Sequence, residues 1–264
     1  MHHATTNRRL GLAAGVATHL LFVFTVWHLF WFLKEGRGAG SGGQEWGGLG
    51  FDIGLAVFFA APHSVLLLPS VRKSLAKRIP QAFYGLFYTV VTCTSLLVVF
   101  GLWQGSEQVV WNLTGPLRLA VQAGFYASWA ALFYSLHLTG LGYQTGLTPW
   151  LYWARRQQPP RRTFTPRGAY LLWRHPVYLS FMGLVWFTPR MSLDHVVLTA
   201  VWTVYLFVGS CLKDQRLAFY LGDSYRAYQA TTPGFPLMPF GPLARRPLPE
   251  PASSTSDQSP AVAA

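Results

Sequence analysis

The sequence predicts an all-α membrane protein, and three observations carry that expectation. Hydrophobic residues make up 51% of the chain and charged residues only 11%, against roughly 25% charged in an average soluble domain. The apolar residues gather in long runs, most of them near the roughly 20 helical residues that cross a hydrocarbon core of about 30 Å. The cations gather between the runs and alternate in number from one connection to the next. Isolated spans in lipid must satisfy their backbone groups internally, so each run is expected to be a helix. The runs follow one another too closely for a separate soluble unit, so residues 1–241 are read as one membrane domain. The Pro-, Ser- and Ala-rich stretch 242–264 lacks apolar periodicity and is expected to be a disordered tail.

The runs fall near 11–33, 51–69, 82–103, 117–141, 176–188 and 194–212. Arg8 and Arg9 precede the first, which is too long for a cleaved signal sequence and is kept as a span. In the loop after it, Lys34 and Arg37 are balanced by Glu35 and Glu45. The next connection carries Arg72, Lys73, Lys77 and Arg78; the one after that has no Lys or Arg before Arg118. The connection over 142–175 then holds Arg155, Arg156, Arg161, Arg162, Arg167 and Arg174. By the positive-inside rule this alternation predicts about six spans with both termini cytoplasmic. The formal charge of +12 raises nucleic acid as a partner, but the cations sit in short connections and not on one polar face. An anionic inner leaflet accounts for them better. Cys93 and Cys211 both lie inside apolar runs, where they suggest neither a disulfide framework nor a metal site.

The fifth run is short. Pro176 restricts His175 away from helical geometry and suits the first position of a helix. From there to Thr188 a helix extends only about 20 Å, the kind of broken span that lines a cavity and here forms a hairpin with the sixth. Its open N–H groups beside Arg174 attract an anion; a snorkelling arginine at the boundary is the competing reading. After the sixth run Leu217, Leu221, Tyr225 and Tyr228 recur at helical spacing, which predicts a C-terminal interfacial helix. Asp214 falls on its first turn, as a ligand or as a simple helix-dipole partner. Gly222 is a bend or a small residue at a crossing, and the two tyrosines suit interface anchors. His63, His137, Arg174, His175 and Asp214 all fall toward one leaflet, and polar residues at that depth are functional candidates.

Several of these residues form a recognisable pattern. Arg174-His175-Pro176-x-Tyr178, an acidic residue ahead of a leucine, and Leu221-Gly222-x-x-Tyr225-x-x-Tyr228 before a proline-rich close resemble the integral-membrane methyltransferases typified by isoprenylcysteine carboxyl methyltransferase. His63-Ser64, Phe164-Thr165-Pro166-Arg167-Gly168-x-Tyr170 and Trp186-x-Thr188-Pro189-x-Met191 extend the resemblance toward bacterial methanethiol S-methyltransferases and NnrU-type membrane proteins, over roughly residues 55–240. The resemblance implies a cytosol-facing S-adenosyl-L-methionine site, mainly within 164–240, and a small or lipophilic thiol entering from the bilayer.

On that reading Arg174 takes the cofactor carboxylate, Asp214 its ammonium or ribose, and Tyr178 walls it. His175, Pro176, Gly222, Tyr225 and Tyr228 complete the cofactor site. His175, with an ordinary pKa near 6.5, is the expected base toward the thiol, and His63 and His137 are expected near the acceptor. No metal is implied. The chain departs from the family in carrying Lys213-Asp214 where a glutamate pair is usual, and Ser180 where a glycine is. Two other classes stand beside this one: a membrane redox protein with His63 and His137 as haem ligands, and a non-catalytic relative disabled by Lys213.

Overall fold

The computed structural model describes residues 2–36, 45–160 and 163–247. Helices dominate, as the apolar runs predict. Four are long and apolar enough to cross a membrane: α1 (His2–Glu35), α2 (Glu45–Val65), α4 (Gln81–Leu102) and α9 (Leu193–Leu221). Two of the six expected spans fall short of that standard among the described residues. Helix α5 (Gly115–Thr139) is long enough but is diluted by Arg118, Gln122, Ser128, Ser135 and His137. Helix α8 (Pro176–Trp186) has 11 residues. Short helices α3 (Pro69–Leu75), α6 (Leu141–Gln144) and α7 (Leu147–Ala154) fill the connections, and α10 (Asp223–Thr231) follows α9.

The core runs through the middle of the bundle, where Leu33, Ala56, Val99, Leu132, Leu184 and Leu198 from six helices are buried together. Large apolar side chains point outward elsewhere, among them Leu20, Val23, Trp27, Val57 and Phe58, the pattern of a surface that meets lipid instead of water. In lipid, helices associate by close packing, and small residues mark the contacts. A methyl group on Gly183 of α8 would stand 2.3 Å from the Ser128 hydroxyl of α5. One on Gly85 of α4 would stand 2.4 Å from the Gly146 Cα ahead of α7. The α8 contacts with α9 run in opposite chain directions. The Val185 carbonyl accepts from Thr199 Oγ1 at 3.0 Å, while at the other end Tyr178 packs against Gly209.

Three features refine the expected all-α architecture. The first is a short ribbon beside the helices, in which β1 (Val109–Asn112) pairs antiparallel with β2 (Arg190–Ser192). These strands come from the connections that follow α4 and α8, and their pairing satisfies backbone groups of both connections. The second concerns the interfacial helix. Helix α9 does not stop near residue 212 but continues to Leu221, about 43 Å in all, and only then does Gly222, at φ 57°, turn the chain into α10. Asp214 is therefore inside α9, two turns from its end, and is not a first-turn dipole partner. The third is the tail boundary at 242. Leu243 is 0% exposed and Ala244 6%, and the Gly234 amide donates to the Leu243 carbonyl at 2.7 Å. Leu243 and Ala244 are thus packed against the domain, and the expected tail beyond residue 247 lies outside the described residues.

Candidate functional site

Pro176 occupies the first turn of α8, with His175 as its cap at φ −126°. The extended backbone just ahead is held by the segment after α10: the Arg174 amide donates to Pro233 O at 2.9 Å and the His175 amide to Gly234 O at 3.2 Å. This places the Arg174 guanidinium, 1% exposed, against α9. Its Nη2 reaches Asp214 Oδ2 at 2.7 Å and its Nε donates to the same carboxylate at 3.1 Å. Nη1 donates to the carbonyls of Gln229, Thr232 and Ala244, and Nη2 also to that of Leu243.

Asp214 is equally enclosed. Besides the guanidinium it accepts from the Tyr225 hydroxyl at 2.5 Å, and His175 Nε2 lies 3.0 Å from its Oδ1. All four side chains are almost fully buried. Burial pushes the His175 imidazole down to about 4; the Lys213 and Arg174 charges act in the same direction and the Asp214 carboxylate opposes them. Burial and the Asp214 carboxylate hold the Tyr225 phenol well above its ordinary range. Tyr228 donates to the Tyr170 carbonyl and packs against Phe164.

The structure therefore joins Arg174, His175, Asp214 and Tyr225 in one cluster, with Pro176 and Tyr228 at its edge. Every nitrogen of the Arg174 guanidinium donates within the protein, and Asp214 is met by Arg174, His175 and Tyr225. They form a clasp that ties α8, α9, α10 and residues 232–244 together. His175 lies buried within it, with Nε2 against Asp214 and Nδ1 without a hydrogen-bond partner. Gly222 serves as the bend, and its carbonyl accepts from the Tyr225 amide at 3.1 Å. His137 is exposed, and its carbonyl caps α5 by accepting from the Gly140 amide. His63 packs among Phe59, Tyr88 and Tyr205. The Tyr88 hydroxyl lies 3.0 Å from its ring nitrogens. Nothing in these contacts brings the two histidines together as a ligand pair.

A second polar cluster occupies the neighbouring face of α9, and sequence reasoning found only part of it. Tyr178, whose ring lies 5.6 Å from that of His175, forms the wall between the two clusters. The Lys213 ammonium sits 5.3 Å from the Tyr178 ring centre and 5.9 Å from that of Tyr170. Arg216, one turn further on, lies within electrostatic reach of His63, Tyr88, Tyr178, Tyr205 and Lys213. Ser64 donates to the Tyr205 hydroxyl at 3.2 Å. All these side chains keep some accessible surface although they stand between α2, α4, α8 and α9. The missed signal was two cations one turn apart at the end of a membrane helix.

Fit to S-adenosyl-L-methionine rests on polar atoms the clasp leaves over. Tyr170 Oη, His175 Nδ1 and Gln229 Nε2 are buried without a hydrogen-bond partner, and such orphans suit the hydroxyls and amino-acid end of a polar ligand. The Tyr178 face suits a sulfonium cation.

Fold and site define an all-α membrane protein in which two distant motifs meet beside the last long helix. The chain is similar to the methanethiol S-methyltransferase of a Pseudomonas species, 28% identical over 235 residues that span 85% of this chain and 88% of that one. It is likewise 28% identical over 231 residues to methanethiol S-methyltransferase 1 of Bradyrhizobium diazoefficiens, with 81% and 78% of the two chains covered. Nurim of Xenopus laevis is 26% identical over 180 residues, 65% of this chain and 63% of that one. No family model matches the chain, and no solved structure does. These similarities bear out the resemblance to the integral-membrane methyltransferases.

Proposed function

We propose that the chain is a membrane-embedded S-adenosyl-L-methionine-dependent methyltransferase acting on a small or lipophilic thiol, with methanethiol converted to dimethyl sulfide as the leading reaction. The observation that carries this reading is the similarity to methanethiol S-methyltransferases over most of the chain. The convergence of its two distant motifs on one site supports it. In this reading α5 and the α8–α9 hairpin complete a set of six spans, with both termini and the cofactor site cytoplasmic in a bacterial inner membrane. The cationic connections on that side support the orientation.

When bound, the cofactor supplies a methyl group on a sulfonium. The protein contributes placement and exclusion of water. Tyr178 lines the cofactor with its ring, and Tyr170, His175 and Gln229 offer their unpartnered polar atoms. The clasp keeps α8 and α9 in register, and with them Tyr178 and Lys213. A sulfonium and a thiolate neutralise one another as the new bond forms, so a poorly solvated, aligned site favours the transition state over solvated reactants.

Headspace mass spectrometry on cells expressing the chain, fed methanethiol and methyl-labelled methionine, tests the reading. Labelled dimethyl sulfide is expected from the parent and should fall to the empty-vector level for Tyr178→Ala. Equal signal from parent and empty vector, with the protein present in the membrane, would overturn it.

A further inference from the structure

The sealed His175 leaves the proposed reaction without an obvious base, and the second cluster answers that need in another way. Lys213 and Arg216 stand one turn apart on α9, and the Lys213 ammonium lies against the rings of Tyr178 and Tyr170. Among the described residues neither forms an ion pair; the pairs present are Arg174–Asp214, His175–Asp214 and Arg226–Asp223. Asp214 is Lys213's neighbour in sequence, but its carboxylate is occupied on the far side by Arg174. Two cations without a counter-ion beside a low-dielectric wall carry a large desolvation cost. An anion lying between them offsets it.

Resting on the thiol-methyltransferase reading, we infer that Lys213 and Arg216 hold the acceptor as its thiolate, so that no side chain acts as general base. The groups facing this position are His63 from α2, Tyr88 from α4, Tyr170 from the turn at Gly168–Leu171, Tyr178 from α8, and Tyr205 and Asp214 from α9 itself. Of these only Asp214 brings a negative charge, and the clasp neutralises it. The thiol gives its proton to water as it binds. A thiolate lone pair then forms the new S–C bond to the methyl carbon while the bond from that carbon to the sulfonium breaks, its electron pair staying on the departing sulfur. A cation and an anion are consumed and two neutral thioethers result.

The pair also explains the departure at Lys213. A glutamate there, as the resembling family usually has, would repel a thiolate, whereas the lysine stabilises it. An opposite charge within about 4–6 Å lowers an acid's pKa by 1–3 units, which brings a thiol with an ordinary pKa near 8.5 or above into reach of neutral pH.

Two measurements on the purified full chain in detergent test this. The first is calorimetric titration with sodium thiocyanate, an unreactive soft anion. The parent should bind it saturably, Lys213→Met and Arg216→Gln should each weaken binding at least about tenfold, Lys213→Glu should abolish it, and Lys213→Arg should restore it. The second is the pH profile of kcat/KM for methanethiol, whose rising limb should move up by about one unit or more in Lys213→Met. S-adenosyl-L-methionine affinity should stay within about twofold of the parent. Absence of thiocyanate binding by the parent, or an unmoved pH limb in the variant, overturns the inference. Parallel loss of cofactor affinity overturns it too, since the cations would then hold the cofactor carboxylate. A parent that binds thiocyanate through Lys213 and Arg216 but methylates no thiol supports the anion site while sinking the proposed reaction.

Discussion

The two polar clusters on α9 differ in what their charges have to do. On one face Arg174 and Asp214 are buried and occupied, with backbone carbonyls taking the remaining guanidinium donors. On the other, Lys213 and Arg216 pair with no carboxylate among the described residues and keep accessible surface, with Lys213 beside tyrosine rings. The contrast teaches that a charged residue at membrane depth is read by its partners. A satisfied pair holds helices together; an unsatisfied one is available to a ligand.

The comparison breaks most visibly at the clasp. Arg174→Ala leaves the Asp214 carboxylate buried without its cationic partner, and removing one partner of such a pair costs about 3–5 kcal/mol. Thermal unfolding in detergent should show a large loss, and Arg174→Lys should not repair it, because an ammonium cannot reproduce the guanidinium fork. Acid should act on the same region. His175 is neutral in both folded and unfolded chains above its ordinary value of 6.5. As pH falls toward about 4 the unfolded chain takes a proton that the folded one refuses, so stability present above 6.5 is lost, by about 3 kcal/mol over that window. Unfolding midpoints measured from pH 7 to 4 should fall, and His175→Gln should flatten the slope.

Tyr225→Phe removes one hydrogen bond to a carboxylate that keeps its other partners, a cost of about 1.5–3 kcal/mol. The smallest effect belongs to the other face. Lys213→Met should change stability by less than about 1 kcal/mol, or raise it, since it removes an unpaired cation that folding must partly desolvate.

Much of the fold was legible because lipid forces a simple code: long apolar runs must be helices. The helices, the start of α8 at Pro176 and the bend at Gly222 all follow from that code and from Pro and Gly geometry. What escaped has physical reasons. The α9 helix runs on through Lys213-Asp214-Gln215-Arg216 because its backbone ladder does not depend on apolar side chains, whereas the hydropathy signal ends there. The β1–β2 ribbon is too short to leave a period. Leu243 and Ala244 are held through their backbone carbonyls, invisible to composition. At the site, the motif residues Arg174, His175, Asp214 and Tyr225 were found. Their sequence cannot distinguish a ligand set from a clasp, because that difference lies in the carbonyls of Thr232, Leu243 and Ala244.

The measurement that bears most directly on the division between the two faces is cofactor binding by Asp214→Asn, made together with its unfolding temperature. The amide keeps the shape and most hydrogen bonds of the carboxylate while removing its charge. If the clasp is structural, the midpoint falls and the Kd for S-adenosyl-L-methionine of the folded protein stays within about twofold of the parent. An unchanged midpoint with affinity weakened about tenfold or more would mean that Asp214 holds the cofactor, and the division would be wrong.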